Sequence, residues 1–209
     1  MTKQNYDNQM TAIIGGFGNE KPKLLLHVCC APCATYCLMQ LLPHFDVTLY
    51  FSNDNIMPRA EYDRRLAEVC RLADLVNDGK FVTQAVMPLK TVARNYEPSR
   101  YLQAAQGLEG EAEGGIRCFE CFVLRLGDAA QYAEQNGFDY FATTLTVSPY
   151  KNSDLINEIG SKLASDKVLW LPTDFKKREG YRQSVELCAK YGIYRQHYCG
   201  CVFAMPKED

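Results

Sequence analysis

The chain has 209 residues, 47% of them apolar, and a formal net charge of −2. This length suffices for one domain with its own core, and the small net charge excludes a protein that binds polyanions over its whole surface. Residues 1–9 lack the apolar core of a signal peptide, and no apolar run reaches the length of a membrane span. We therefore expect a cytoplasmic protein, in which ten cysteines indicate metal binding or redox chemistry rather than disulfides.

Strand-like and helix-like segments alternate along the chain, which predicts an α/β fold with a parallel sheet and helices on both faces. We expect strands at 23–28, 47–51, 81–86, 140–144 and 168–171. Helical spacing of apolar residues predicts helices at 58–78, 118–136, 153–165 and 181–191. Residues 1–22 are expected to form a flexible arm. Residues 23–209 are expected to form one catalytic domain with an insert around 88–115 and a metal-binding C-terminal tail.

Six cysteines fall into three close pairs: Cys29 and Cys30, Cys118 and Cys121, Cys199 and Cys201. Cysteines that only fill a core have no reason to recur at such short spacing, whereas several thiolates must reach one metal together. Six thiolates exceed the four that hold one 4Fe-4S cluster or one structural zinc. The sequence therefore predicts a composite site, a cluster with a second metal, at the carboxyl ends of the strands.

The three pairs differ in local geometry. Cys29 and Cys30 follow the first strand, and successive residues of an extended chain point to opposite faces, so we expect them to serve two different centres. Cys118 and Cys121 lie on one side of a helix start, where the thiolate form is favoured. Gly200, inside the last pair, allows the backbone to approach a metal closely.

The remaining cysteines give weaker signals. Cys33 follows the first pair closely and is a further candidate metal ligand, whereas Cys37 is expected to pack in the core. Cys70 and Cys188 lie on apolar faces of predicted helices and are also expected to be core residues. His197 precedes the last pair and is a candidate site residue.

Short basic runs are candidate nucleic-acid contacts, although such runs more often form solvated faces. They comprise Lys176, Lys177, Arg178 and Arg182; Arg59, Arg64 and Arg65; and Arg117 with Arg125.

Two other functions remain open: a noncatalytic zinc- or iron-binding module, and a cluster-dependent tRNA-thiolating enzyme. The second needs a Gly/Ser-rich loop after the first strand to hold pyrophosphate, and H-V-C-C-A-P-C occupies that position.

Several spaced motifs together resemble the QueH-type epoxyqueuosine reductases, iron-sulfur enzymes that do not use cobalamin. The motifs are L-L-L-H-V-C-C-A-P-C at 24–33, F-S-N-D-N-I-M-P at 51–58, R-C-F-E-C-F-V-L-R-L at 117–126, T-T-L-T-V-S-P-Y-K-N at 143–152, D-F-K-K at 174–177 and Y-R-Q-H-Y-C-G-C at 194–201. The resemblance extends over nearly the whole chain.

This resemblance implies a HUP-like, Rossmann-like fold, and a 4Fe-4S cluster with an adjacent mononuclear iron held by the cysteine pairs. The implied reaction is the two-electron reduction of epoxyqueuosine to queuosine at the wobble position of tRNA, with electrons from a donor such as a ferredoxin or flavodoxin. Some members have Asp at the position of Cys33, which leaves the third ligand of the iron open.

Under this resemblance, further residues acquire expected roles. The candidate proton donors are Tyr150, Asp174, His197 and Tyr198. The candidate contacts to the anticodon stem-loop are Lys176, Lys177, Arg178 and Arg182.

Overall fold

A five-stranded parallel sheet lies at the centre of the molecule. The computed structural model describes residues 4–82 and 87–205. Its strands are β1 (Lys23–His27), β2 (Asp46–Phe51), β3 (Lys90–Ala93), β4 (Tyr140–Thr143) and β5 (Leu169–Trp170). The strand order is β3-β2-β1-β4-β5, and every pairing is parallel. This order is Rossmann-like, so the predicted α/β class is confirmed.

The helices are α1 (Tyr6–Gly15), α2 (Ala31–Leu41), α3 (Arg59–Asn77), α4 (Pro98–Ala104), α5 (Ile116–Gln135), α6 (Ser153–Leu163) and α7 (Gly180–Tyr191). The four helices predicted with bounds are α3, α5, α6 and α7, and each is confirmed to within two residues at both ends. Among the described residues, no helix is both long enough and apolar enough to cross a membrane.

The predicted third strand is wrong. Phe81 and Val82 lie in a bend after α3, residues 83–86 fall outside the described residues, and the third strand is β3, inside the predicted insert. Phe81 instead packs against Tyr191, with 5.0 Å between ring centroids. Because β3 is an edge strand that pairs with β2 alone, its side chains are only partly buried and no apolar run marks it in the sequence.

Two apolar layers cover the two faces of the sheet. In β1, Leu24 and Leu26 pack into one layer and Leu25 into the other, and all three are fully buried. A continuous apolar run of this kind is expected of a central parallel strand that is covered on both faces. Helices α2, α3 and α7 cover the first face, and α5 and α6 cover the second.

The N-terminal region contains a helix that no sequence signal predicted. Asn5 caps α1 by accepting a hydrogen bond from the Asn8 amide at 3.1 Å, and Met10 is buried in the first apolar layer. Arg178, which precedes α7, pairs with Asp7 of α1 at 3.0 Å. These contacts hold α1 against the residues that precede α7, while the division of the chain at residue 22 stays a prediction.

Candidate metal centre

Three cysteines lie together where β1 leads into α2; we call Cys29, Cys30 and Cys33 the triad. Their sulfurs all lie within 4.8 Å of one another, so this group could hold a metal ion. The Sγ atoms of Cys29 and Cys30 are 3.6 Å apart, so the expectation that the two side chains point to opposite faces is wrong, whereas their assignment to different centres stays a prediction. The physical reason is that β1 ends at His27 and the chain bends at Cys29, so the two residues are not part of one extended strand.

The other two pairs, which we call the tetrad, line a second cavity of about 90 Å³. The tetrad comprises Cys118, Cys121, Cys199 and Cys201. The first two lie in the first turns of α5, and the last two lie in the tail after α7. Gly200 has a φ of +103°, and a Cβ there would lie 2.8 Å from Ile56, so this turn of the tail requires glycine.

A larger cleft of about 310 Å³ adjoins the tetrad cavity and is lined by Cys29 and Cys33 of the triad. The two cavities share the lining residues Glu113, Arg125, Tyr150, Lys151 and Cys199. The triad and the tetrad therefore face adjoining spaces beyond the carboxyl end of β1, where ligands bind in sheets of this type.

Comparison with known proteins identifies the family of this chain. Residues 24–207 match the family described as Epoxyqueuosine reductase QueH. Proteins of that name in Staphylococcus epidermidis and Streptococcus pyogenes serotype M1 are each 45% identical to this chain, over 99% and 97% of it and 87% and 78% of their own length. The chain belongs to the epoxyqueuosine reductase QueH family. A protein of the same name in Thermotoga maritima is 34% identical over 87% of this chain and 90% of its own length.

Arginines that were expected on solvated faces are buried beside the cysteines in this QueH-family chain. Arg65 is 2% exposed and donates to the carbonyl of Cys199 at 3.1 Å. Arg125 is 4% exposed, donates to Asn53 Oδ1 at 2.5 Å and lies 3.9 Å from Cys121 Sγ. The expectation of a solvated face is wrong for these residues, because their charge faces sulfur and backbone carbonyls rather than water.

Arg117 organises the insert at the start of α5. It is buried, and its Nη1 donates to the carbonyls of Leu108, Glu109 and Glu111 at 3.2, 2.8 and 2.5 Å. These bonds hold the acidic loop of the insert beside the tetrad cavity, which Glu113 also lines.

Hydrogen bonds within the triad separate the pKa values of its three thiols. Hydrogen bonds from Cys30 and Cys33 hold the pKa of Cys29 well below its ordinary value, against the opposing effect of burial. Burial and the hydrogen bond to Cys29 raise the pKa of Cys30 to about 12. Hydrogen bonds with the other two thiols, together with burial, raise the pKa of Cys33. Cys29 is therefore the thiol of the group that ionises most readily.

The tail pair behaves in the same way. Hydrogen bonds from Cys199 and from the Tyr101 hydroxyl, 2.9 Å from the Cys201 sulfur, lower the pKa of Cys201 to about 6 against the opposing effect of burial. The hydrogen bond between the two cysteines, with burial, raises the pKa of Cys199. Each group of cysteines thus contains one thiol that is readily ionised.

Lys151, like Arg125, lines both cavities. Burial disfavours its charge, but the negative charge of neighbouring cysteine sulfurs, that of Cys29 above all, outweighs this effect and raises its pKa. Lys151 therefore carries a positive charge that faces both groups of cysteines.

The structure places three of the four candidate proton donors at the cleft. Tyr150, His197 and Tyr198 line it, and Tyr150 is 77% exposed. The Tyr198 hydroxyl donates to the carbonyl of Met57 at 2.7 Å. Asp174 instead lines a separate cavity near the start of α6, so the structure does not bring it to the cleft.

The four basic residues proposed to contact tRNA differ in how free they are. Lys176 is partly buried and paired with a carboxylate at 3.3 Å. Arg178 and Arg182 also pair with neighbouring carboxylates. Lys177 is exposed, and no ion pair involves it within the part of the chain that the structure describes.

The remaining cysteines do not belong to either group. Cys37 and Cys188 are buried in the first apolar layer, as predicted. Cys70 is exposed, so its assignment to the core is wrong. The spacing of apolar residues in α3 is compatible with a cysteine at the margin of the buried face, and periodicity alone does not separate the margin from the centre.

Sequence reasoning missed three residues that contact or face the cysteines: Tyr101, Lys151 and Gln196. Lys151 was inside a quoted motif, and Gln196 lies one and three residues from His197 and Cys199 in the tail motif, so proximity to motif residues was an available signal. Gln196 Nε2 donates to Cys30 Sγ at 2.9 Å. Tyr101 lies in the insert, 100 residues from the cysteine it contacts, and had no sequence signal.

Proposed function

We propose that this chain reduces epoxyqueuosine at the wobble position of tRNA to queuosine. The observation that carries the proposal is the pair of cysteine groups facing adjoining cavities, with Arg125 and Lys151 between them. The names of the QueH relatives support the choice of substrate. A redox centre beside an open cleft suits the removal of an epoxide oxygen, because protein side chains do not supply the electrons.

The tetrad suits a 4Fe-4S cluster, since four cysteines around one small cavity match the ligand set of such a cluster. Within the described part of the chain, the Nε atoms of Arg117 and Arg125 are buried and have no hydrogen-bond partner, and the charge of these residues would offset that of the cluster and its thiolates. The triad suits one iron ion with Cys33 as its third ligand, which leaves a coordination position for the substrate oxygen.

Conversion of the epoxide to an alkene with release of water consumes two electrons and two protons. The bound metals would supply the electrons, renewed by a donor such as a ferredoxin or flavodoxin, and would polarise the epoxide oxygen. Lys151 and Arg125 would stabilise negative charge in the cleft. We assign proton delivery to His197 and Tyr150, because the Tyr198 hydroxyl is engaged with a carbonyl and Asp174 lies outside the cleft.

Deletion of the gene tests this function in a host that has no second epoxyqueuosine reductase. We expect epoxyqueuosine to replace queuosine among the nucleosides of its tRNA, measured by liquid chromatography and mass spectrometry. A plasmid copy of the gene should restore queuosine, and so should the Cys188→Ala copy, because Cys188 lies in the core. Copies with Cys30→Ser or Cys121→Ser should not. Unchanged queuosine in the deletion strain would contradict the proposal and favour a noncatalytic metal-binding module.

A further inference from the structure

Tyr101 of α4 contacts the tetrad but has no role in the reaction proposed above. Its hydroxyl oxygen lies 2.9 Å from Cys201 Sγ, and its side chain is 1% exposed. We infer that Tyr101 is a positioning residue whose O–H···S hydrogen bond to Cys201 raises the reduction potential of the cluster. This inference rests on the cluster assigned to the tetrad under the proposed function.

The direction of this hydrogen bond follows from the chemistry of a ligand cysteine. A cysteine that binds iron does so as a thiolate and has no proton to donate. The Tyr101 hydroxyl is therefore the donor and Cys201 Sγ the acceptor. Both residues are buried, so water does not compete for the sulfur, and a hydrogen bond to a charged acceptor is stronger than one between neutral groups.

The surroundings of α4 hold the hydroxyl in place. Arg100, the preceding residue, donates to Asp54 Oδ2 and Asp128 Oδ1, each at 2.8 Å, and so fixes α4 against the end of β2 and against α5. On the other side, the Tyr101 ring packs against Phe203 of the tail, with ring centroids 6.5 Å apart. These contacts of α4 and of the Tyr101 ring therefore fix the hydroxyl beside the Cys201 sulfur.

Such a bond favours the reduced state of a cluster. When the cluster gains one electron, negative charge on its thiolate ligands increases and a donated hydrogen bond strengthens. No covalent bond forms or breaks, and the proton stays on the Tyr101 oxygen. Loss of the bond should make electron uptake about tenfold less favourable, a shift of about 59 mV to more negative potential for a one-electron couple.

The test compares Tyr101→Phe with the unaltered protein after anaerobic cluster reconstitution. Potentiometric titration with dithionite, followed by electron paramagnetic resonance, gives the midpoint potential, and iron and sulfide analysis gives the cluster content. The matched control is Tyr96→Phe, which removes a partly buried hydroxyl bonded to the Ile56 carbonyl at 2.8 Å and not to sulfur. We expect full cluster content in all three proteins and a more negative potential in Tyr101→Phe alone.

Two results would overturn the inference. One is an unchanged potential in Tyr101→Phe. The other is failure of this variant to take up a cluster while Tyr96→Phe does so, because the hydroxyl would then serve assembly. If the unaltered protein itself takes up no cluster, the cluster assignment made under the proposed function fails. That outcome is distinguishable from the two results that overturn the inference about Tyr101.

Discussion

The sulfurs of Cys29, Cys30 and Cys33 lie close enough to share one metal, so serine at any of the three should have the same effect. We expect each variant to lose the single iron and retain the cluster, whereas Cys121→Ser should lose the cluster. Mössbauer spectra with iron and sulfide analysis measure both losses. The unaltered protein should hold about five irons and about four sulfides, and the triad variants about four of each.

Cys188→Ala and Cys70→Ala are the controls for these losses. Both should keep all metal, because neither residue belongs to the triad or the tetrad. Cys188 is buried, so its truncation should cost about 1–2 kcal/mol of unfolding free energy, whereas the exposed Cys70 should cost less than about 0.5 kcal/mol. Stoichiometric zinc without sulfide in anaerobically matured protein would contradict the cluster assignment.

The separated pKa values of the triad predict how metal uptake depends on pH. Cys30 and Cys33 have raised pKa values and stay protonated at neutral pH, whereas the lowered pKa of Cys29 favours its thiolate. Because ligand thiols must lose their protons, binding of a divalent metal at the triad should release about two protons. Affinity should then fall about 100-fold for each unit by which pH decreases through the neutral range.

Calorimetric titration of cobalt into the Cys121→Ser variant, repeated in buffers of different ionisation enthalpy, measures this proton release. The tetrad is incomplete in that variant, so the triad dominates binding. Release of three protons would show that Cys29 is a neutral thiol, and release of none would show three thiolates. Either outcome contradicts the pKa order.

The sequence predicted the cysteines of the site but not the charges that face them. Paired spacing singled out six of these cysteines as candidate ligands, since a metal needs several thiolates at once, and Cys33 was a candidate by its position just after the first pair. Nothing in the sequence distinguishes Arg125, which faces Cys121, from an arginine in water, because both occur in helices with mixed composition. A buried cation becomes recognisable only when its neighbours from other elements are known.

Among the elements, α7 packs closely against α2, and this packing supports the triad at the start of α2. A Cβ on Gly180 would overlap the Phe175 carbonyl oxygen and the Tyr36 ring of α2. Ser184 of α7 also donates to the Pro32 carbonyl at 2.7 Å, beside the triad. We expect Gly180→Ala to lower the free energy of unfolding by about 2–3 kcal/mol, because this overpacking pushes the two helices apart. Urea unfolding monitored by circular dichroism measures the change.

Gly127 of α5 provides the matched control. Beyond its own stretch of helix, no atom of the described residues lies within 4 Å of a Cβ built at that position. Gly127→Ala should therefore raise the free energy of unfolding by about 0.5–1 kcal/mol, since alanine is the better helix former. If the two substitutions changed stability equally, close packing at Gly180 would not explain the effect.

The elements that sequence predicted well are those with strong periodicity or long apolar runs. The buried strand β1 and the amphipathic α3 were placed correctly. In contrast, β3 has only four residues at the sheet edge, and α1 contributes a single buried residue, Met10. Such elements are held by tertiary contacts, and their local sequence contains little signal.

At the scale of the whole molecule, the parallel topology explains why cysteines far apart in sequence meet. β1 and β4 are neighbours, so the triad after β1 lies beside the loop after β4 that includes Lys151. The tail then returns to this end of the sheet, where Met57 donates to the Gly200 carbonyl at 2.9 Å. Spacing within each cysteine pair is local, whereas the grouping of pairs into a tetrad depends on this topology.

The same topology separates a proposed tRNA-binding end from the opposite end of the sheet. Because the net charge is −2, attraction to tRNA must be local, and Lys177 is the proposed contact that has no described ion pair. Lys177→Ala should weaken binding of a tRNA anticodon stem-loop and reduce the slope of log K against log salt by about 1. Lys21→Ala is the control, because Lys21 is exposed just before β1, at the other end of the sheet. Fluorescence anisotropy at several salt concentrations measures both slopes, and an equal loss in the two variants would contradict a local phosphate contact at Lys177.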